Sequence, residues 1–187
     1  MSKSTIVLIA IVAVVGLFGL TLMSSYNGLV AEQEQVNGKW SQIDTMLQRR
    51  ADLIPNLVNT VKGFAAQEKS VIDSVTNARA KLAGAQGPAA RGEANAELSS
   101  ALSRLLVVVE NYPQLKSDRT FIGLMDELSG TENRIAVARR DYNQAVQSFN
   151  TRVKSFPTSI IAGMFGFAQK EYFRADEGAK QVPAVKF

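Results

Sequence analysis

The sequence predicts an all-α membrane protein in which one N-terminal transmembrane helix precedes an antiparallel four-helix bundle and an apolar C-terminal tail. Two observations predict this class: an uncharged apolar run from Ile6 to Met23, and four later stretches in which apolar residues recur at alternating steps of three and four. The predicted divisions are an anchor over residues 1–25, a bundle over 26–155 and a tail over 156–187.

The apolar run has eighteen residues, which as a helix is about 27 Å long and can cross the hydrocarbon core of a bilayer. The alternative is a cleaved signal peptide, but its apolar region is usually shorter and ends in a small-residue cleavage site. Lys3 and the amino terminus favour an N-in orientation, with the bundle outside a bacterial cytoplasmic (inner) membrane. The predicted lipid-facing residues are Ile6, Leu8, Ile11, Val15, Leu17, Phe18, Leu20 and Met23.

The fourth bundle helix has the clearest apolar seam, and shorter seams precede it within residues 26–47, 57–82 and 98–112. Short connections between long amphipathic helices are typical of antiparallel neighbours, which favours an up-and-down bundle. The seam of the fourth helix, a seven-residue repeat, consists of Phe121, Leu124, Leu128, Thr131, Ile135, Ala138, Tyr142, Ala145 and Phe149.

Proline and glycine mark the predicted breaks between these helices. Pro55 separates the first two helices, and Gly84–Pro88 forms the next loop. Pro113 ends the third helix, and Ser117 or Asp118 caps the fourth. The alternative at Pro55 is a kink, in which case the first two helices merge into one long rod.

An even number of bundle helices returns the tail to the bilayer. Its apolar stretch, Ile160 to Ala168, is too short to span, and residues 152–187 carry six basic and three acidic side chains. Such a segment either lies in the membrane interface or closes the end of the bundle, and the sequence leaves both alternatives open. The candidate membrane-contact residues are Ile160, Ile161, Met164, Phe165, Phe167, Tyr172 and Phe173.

Composition removes the commonest catalytic and metal-binding arrangements. The chain has no Cys and no His, so thiolate chemistry, the usual neutral-pH base and the Glu-x-x-His pairs of di-metal bundles are absent. No Ser is followed three residues later by Lys. We therefore expect no catalytic residue, no metal and no cofactor. The net charge of +4 is too mild for nucleic acid and suits anionic lipid better.

Several charged residues are candidates for a polar network or a partner-docking surface. The alternative is structural, because Arg–carboxylate pairs commonly fix helix register and cap helix ends. These candidates are Arg49, Arg50, Asp52, Glu132, Asn133, Arg134 and Arg139.

Several segments resemble the LemA family: YNGLV (26–30), RRADLIPNLVNTVKGF (49–64), VENYPQLK (109–116), FIGLMDELSGTENRIAVARRDYNQAV (121–146) and the closing FP…GF…YF. The resemblance covers nearly the whole chain. It implies a small bacterial membrane protein with one N-terminal span and a four-helix bundle, whose biochemical activity is not established. Magnetosome-associated members of the family are linked to intracellular membrane formation, which is an analogy.

These features favour a non-enzymatic scaffold that contacts membrane lipids, forms homo-oligomers and organises or remodels the membrane. One alternative is an accessory or adaptor subunit that docks another membrane protein, such as a protease or a transporter. A third hypothesis is a bundle that binds lipid or a small ligand in a cavity.

Overall fold

The computed structural model describes residues 2–174, which form six helices and contain no strand. The all-α class is confirmed for this part of the chain. In order, the helices are α1 (Lys3–Ala65), α2 (Lys69–Gly84), α3 (Gly87–Val109), α4 (Pro113–Lys116), α5 (Arg119–Lys154) and α6 (Thr158–Phe165).

Two compact units share these helices. Of the described residues, the first contains 2–38 together with Gln144–Lys170, and the second contains Lys39–Asn143 together with 171–174. Helices α1 and α5 therefore contribute to each unit. The predicted division at residues 25 and 155 into anchor, bundle and tail stays a prediction.

The predicted helix break at Pro55 is wrong, because α1 continues through it to Ala65. Proline has no N–H group, so the carbonyl oxygen of Ala51, four residues earlier, loses its helical hydrogen-bond donor. That carbonyl belongs to a buried residue, and Arg79 Nε from α2 donates to it at 3.0 Å. A side chain from the neighbouring helix thus replaces the missing donor, and the helix continues.

The actual break lies at Ala66–Glu68, inside the seam predicted over residues 57–82. Within α1 the buried face continues from Leu57 and Val61 to Ala65, so Phe64, a predicted seam residue, is 40% exposed. After the break the buried face begins at Ile72, while Val71, the next apolar residue of the predicted seam, is half-buried. The merged-helix alternative is therefore correct at Pro55, but the rod ends before α2 begins.

The other predicted helix ends agree with the structure to within a few residues. Helix α2 ends at Gly84, and α3 begins at Gly87, whose positive φ of 79° is a conformation that glycine tolerates best. Asp118 caps α5, since its carboxylate accepts a hydrogen bond from the backbone N–H of Phe121 at 2.9 Å.

The predicted seam of α5 is confirmed by burial. Of its nine members, eight are buried and Leu124 is half-buried. Thr131, the polar member, has its hydroxyl hydrogen-bonded to the carbonyl of Glu127 within the same helix at 2.8 Å. The seven-residue repeat therefore identifies the face of α5 that packs against the protein.

Side-chain pairs define the helix directions within the second unit. Arg49 pairs with Glu127 and Lys39 with Asp141, so this part of α1 runs antiparallel to α5. In α2 and α3, Lys81 pairs with Glu97 and Ser74 accepts from Arg104, which is again antiparallel. These are the directions that an up-and-down bundle requires, and the complete four-helix bundle stays a prediction.

The replacement of a helical donor by Arg79 can be tested with a double-mutant cycle. Arg79→Met should lower the free energy of unfolding by about 1–2 kcal/mol, because it leaves the buried Ala51 carbonyl without a donor. In a Pro55→Ala background the new N–H of residue 55 supplies that donor, so the same change should cost about 1 kcal/mol less. Chemical denaturation followed by circular dichroism measures the four stabilities.

Equal costs of Arg79→Met in the two backgrounds would show that Arg79 does not compensate for the proline. Arg104→Met serves as the control, because Arg104 donates to the side chain of Ser74. The free energy of unfolding that this change costs should be the same with and without Pro55.

Candidate functional site

A buried arginine lies at the centre of a polar cluster in the second unit. Arg50 is 3% exposed and forms an ion pair with Glu132. Its guanidinium also donates to Asn95 Oδ1 and, at 3.1 Å, to Ser99 Oγ. Helices α1, α3 and α5 thus each contribute to one cluster. Since a buried guanidinium is costly unless it is paired, the cluster favours one register of the three helices.

Burial also sets the electrostatics of this cluster. Removal from water lowers the pKa of the Arg50 guanidinium from its ordinary value, and the Glu132 carboxylate opposes that shift. The Nε atom of Arg50 is buried and has no acceptor among residues 2–174. This N–H group is therefore able to bind an acceptor that reaches the cluster.

A cleft of about 310 Å³ adjoins the cluster. One part of its lining is polar and the other part is apolar, a combination that suits a small amphipathic molecule. The polar part consists of Arg50, Ser99, Ser103, Ser129, Glu132 and Asn133, and the apolar part of Leu102, Leu106, Met125 and Leu128.

The structure joins some of the predicted network residues and separates others. Arg50 and Glu132 are paired and Asn133 lines the same cleft, whereas Arg49 pairs with Glu127 at an exposed position. Asp52 accepts a hydrogen bond from Gln48 of its own helix at 2.9 Å. Within residues 2–174, Arg134 and Arg139 form no ion pair. A shared functional role for these seven residues stays a prediction.

Asn95 and Ser99, both on α3, were not among the residues predicted for the polar network. Asn95 lies three residues before Leu98, the first member of the predicted seam, so extending that seam by one step would have included it. Its burial, at 7% exposure, follows from this spacing. No local pattern indicates that its partner is Arg50, which lies 45 residues earlier.

A second candidate site lies in the first unit, around Tyr26. The Tyr26 ring lies 4.8 Å from the Phe165 ring and 5.7 Å from the Phe167 ring, measured between centroids. Gly166 allows this approach, because its positive φ of 74° ends α6 and turns the chain. Tyr26 of α1 therefore packs against two aromatic side chains at the end of α6.

Two residues further along α1, Gly28 leaves room for the side chain of Arg152. A Cβ atom at Gly28 would overlap the guanidinium of Arg152, so that side chain would have to move. Arg152 forms an ion pair with Glu32 at 2.6 Å, one helical turn beyond. The glycine thus permits a charged pair between α1 and α5 that a larger residue would displace.

The predicted tail residues divide into buried and exposed groups. Ile161 and Phe173 are buried in protein, so neither is available to lipid in this conformation. Phe173 contacts Trp40 at 6.1 Å between ring centroids, and Asn143 binds both its backbone N–H and its carbonyl at 2.9 Å. The membrane-contact prediction therefore continues only for Ile160, Met164, Phe165, Phe167 and Tyr172, which are exposed or half-buried.

Backbone contacts hold the chain after α6 in each unit separately. In the first unit, Asn150 donates to the carbonyl of Lys170 and accepts from its N–H. In the second unit, Tyr142 donates to the carbonyl of Glu171 at 2.8 Å. Burial raises the pKa of Tyr142 to about 12, with the Glu171 carboxylate as a second cause, so this phenol stays a hydrogen-bond donor at neutral pH. Residues 175–187 of the predicted tail lie outside the described residues.

The N-terminal part of α1 is long and apolar enough to cross a membrane. An 18-residue window there has a mean hydropathy of 2.9, and none of it is buried in protein. The predicted lipid-facing side chains, apart from Phe18, are exposed, and the side chain of Phe18 lies outside those described. A core helix of a water-soluble protein would instead be covered.

The sequence matches the family model described as the LemA family over residues 39–187. The chain belongs to the LemA family. Its LemA relatives include a protein named magnetosome protein MamQ 2 from Paramagnetospirillum magneticum, 31% identical over 96% of this chain and 75% of that protein. Magnetosome protein MamQ from Magnetospirillum gryphiswaldense is 28% identical over 99% of this chain and 78% of its own length. Protein LemA from Metamycoplasma hominis is 24% identical over 87% and 75%, respectively.

The segments that carry the LemA resemblance contain the residues of both candidate sites. YNGLV supplies Tyr26 and Gly28, while RRADLIPNLV supplies Arg50 and Pro55. GTENRIAVARRDYN supplies Glu132, the partner of Arg50. In this LemA protein the motifs are thus explained by specific contacts. None of the three relatives' names denotes an enzyme.

The buried pair predicts that two similar glutamates on α5 contribute unequally to stability. Glu132 and Glu127 are 43% and 40% exposed, but their arginine partners are 4% and 56% exposed. Glu132→Gln should lower the free energy of unfolding by about 2 kcal/mol, because it leaves a buried cation without a counter-charge. Glu127→Gln, the matched control, should cost less than about 0.5 kcal/mol. Denaturant titration followed by circular dichroism measures both, and equal losses would contradict the role assigned to Arg50.

The contact at Gly28 predicts a difference between two glycine replacements in α1. Gly38→Ala meets no atom within 4 Å and should stabilise the protein by about 0.5–1 kcal/mol, because alanine is the better helix former. Gly28→Ala gains the same propensity but displaces Arg152 from Glu32, so its net effect should be about 1 kcal/mol less favourable. Thermal melts in detergent compare the two variants. If Gly28→Ala stabilises as much as Gly38→Ala, the Arg152–Glu32 pair contributes nothing to stability.

Proposed function

We propose that this protein is a non-enzymatic, membrane-anchored helical scaffold that self-assembles and organises or remodels the bacterial membrane that holds it. The observation that carries the proposal is the continuity of α1. One helix begins with an uncovered apolar segment and continues to Ala65 as part of the packed protein. A helix of this kind tethers the packed protein to the bilayer that its apolar segment spans.

Three further observations support a scaffold. The sequence lacks both Cys and His. Two of the compared relatives are named magnetosome proteins. In the second unit, Val107 and Val137 are 71% and 52% exposed, and exposed apolar side chains of this kind are available for contact between copies. We place the protein in the cytoplasmic membrane with its amino terminus inside, following the charge of Lys3.

A second candidate function is the binding of a lipid or another small amphipathic molecule. The cleft beside Arg50 favours it, because its lining combines polar side chains, among them Arg50, with the apolar side chains of Leu102 and Leu106. In this case the protein would carry or sense its ligand without reacting with it. The third alternative, an adaptor for a membrane protease or transporter, uses the same exposed valines for a different partner.

One measurement separates these functions. Native mass spectrometry of the full chain, released from lipid nanodiscs, reports copy number, foreign subunits and bound small molecules together. We expect particles with several copies, because the exposed apolar side chains favour burial against another copy. A strict monomer would contradict the scaffold. A monomer with one foreign protein supports the adaptor, and a monomer that retains one amphipathic molecule supports ligand binding.

A further inference from the structure

Helix α6 has an exposed apolar surface in the first unit. Ile160 and Met164 are 56% and 71% exposed, and their spacing of four places them on one helix face. Ile161 and Ala162, on the other side of the helix, are buried in protein, and Phe165 at the end of that side packs its ring against Tyr26. One side of α6 is therefore packed, and the other shows large apolar groups that need a cover.

Tyr26 fixes the level of α6 along α1. The apolar run ends at Met23, so Tyr26 lies only about 4.5 Å further along the helix axis. The contacts of its ring with Phe165 and Phe167, at 4.8 and 5.7 Å, hold the end of α6 at that level. If the apolar run fills the hydrocarbon core, α6 lies where α1 leaves it.

The burial pattern of α1 agrees with this position. None of the 18-residue apolar window is buried, and partial cover begins at Leu22 and Ser25. Leu29, one turn later, is completely buried. Protein therefore begins to pack against α1 where the apolar run ends. This places α6 at the surface of the bilayer that surrounds the apolar run.

The length of α6 is too short to span a bilayer, and the charges at its two ends suit the interface between membrane and water. No charged residue occurs from Ser155 to Gln169, while Lys154 and Lys170 stand at the two ends of this segment. A helix of eight residues is about 12 Å long, far less than the thickness of the hydrocarbon core. Apolar groups bounded by lysines are typical of helices that lie in the plane of the membrane surface.

We propose that α6 is a second membrane contact, an interfacial helix that inserts Ile160 and Met164 among the acyl chains of the leaflet from which α1 emerges. Lys154 and Lys170 lie at the level of the lipid phosphates, which favours anionic lipid. The inference rests on the proposed membrane anchor and adds a site to it. Held to α1 by Tyr26, α6 wedges the leaflet beside the anchor, which gives the scaffold a means of acting on membrane shape.

The absence of cysteine makes a direct test possible, because each introduced cysteine is unique. Met164→Cys, Leu17→Cys and Val107→Cys are labelled with an environment-sensitive fluorophore in the full chain. The labelled proteins are reconstituted into vesicles of phosphatidylethanolamine and phosphatidylglycerol with and without doxyl-labelled lipid. Met164 and Val107 have the same exposure of 71%, so Val107 is the matched control for an apolar residue outside the first unit.

The proposal predicts blue-shifted emission and strong quenching by doxyl lipid at residues 164 and 17, and no quenching by doxyl lipid at residue 107. Quenching at 17 combined with water-like emission at 164 would overturn the interfacial helix and leave the anchor intact. Water-like emission at 17 would overturn the anchor itself. Equal quenching at 164 and 107 would also overturn the proposal, because the contact would not be specific to α6.

Discussion

The burial of the apolar surface of α1 is the constraint on which the rest of the structure depends. One continuous helix carries two different apolar surfaces. Up to Met23 the run is apolar all round and uncovered, whereas later residues such as Leu29 and Ile43 are apolar on one stripe and completely buried. The first surface requires lipid and the second requires protein. The change of surface occurs within one helix and without a break in it.

Apolar burial alone does not select one register for long helices, and polar groups inside the second unit supply that selection. Arg50 has its guanidinium partners on α3 and α5, and Arg79 reaches the carbonyl that Pro55 leaves without a donor. A shift by one turn would leave a buried cation or a buried carbonyl unpaired, which costs more free energy than a shift between apolar residues. The buried polar groups thus contribute specificity, and the apolar seams contribute most of the stability.

The sequence predicted those features that depend on local spacing. The helical class, the seam of α5 and the cap at Asp118 follow from periodicity and turn chemistry. The prediction of a break at Pro55 was wrong because it considered only the neighbouring residues. The donor that replaces the missing N–H comes from Arg79, 24 residues later in the chain. For the same reason Arg50 and Glu132 were both candidates, but their pairing through Asn95 and Ser99 depends on contacts between helices far apart in sequence. Phe64 was misplaced because the predicted seam took a step of three from Val61, whereas the buried face of α1 takes a step of four to Ala65.

The two candidate sites have different physical characters. The Arg50 cluster is internal and paired, and it leaves one guanidinium N–H beside a small cleft. The Tyr26 cluster joins α1 to the end of α6 just after the apolar run stops. The first cluster therefore holds helices within the second unit, and the other holds helices within the first.

The change of environment along α1 is the central claim, and cysteine scanning measures it directly. Single cysteines from Ile6 to Gln35 in membrane-embedded full-length protein are reacted with a membrane-impermeant maleimide from both sides. The account predicts no reaction at any position from Ile6 to Met23. Beyond Ser25 it predicts reaction at exposed positions such as Ala31 and protection at Leu29. Reaction throughout the apolar run, or a periodic pattern within it, would show that protein or water covers that segment and would contradict the account.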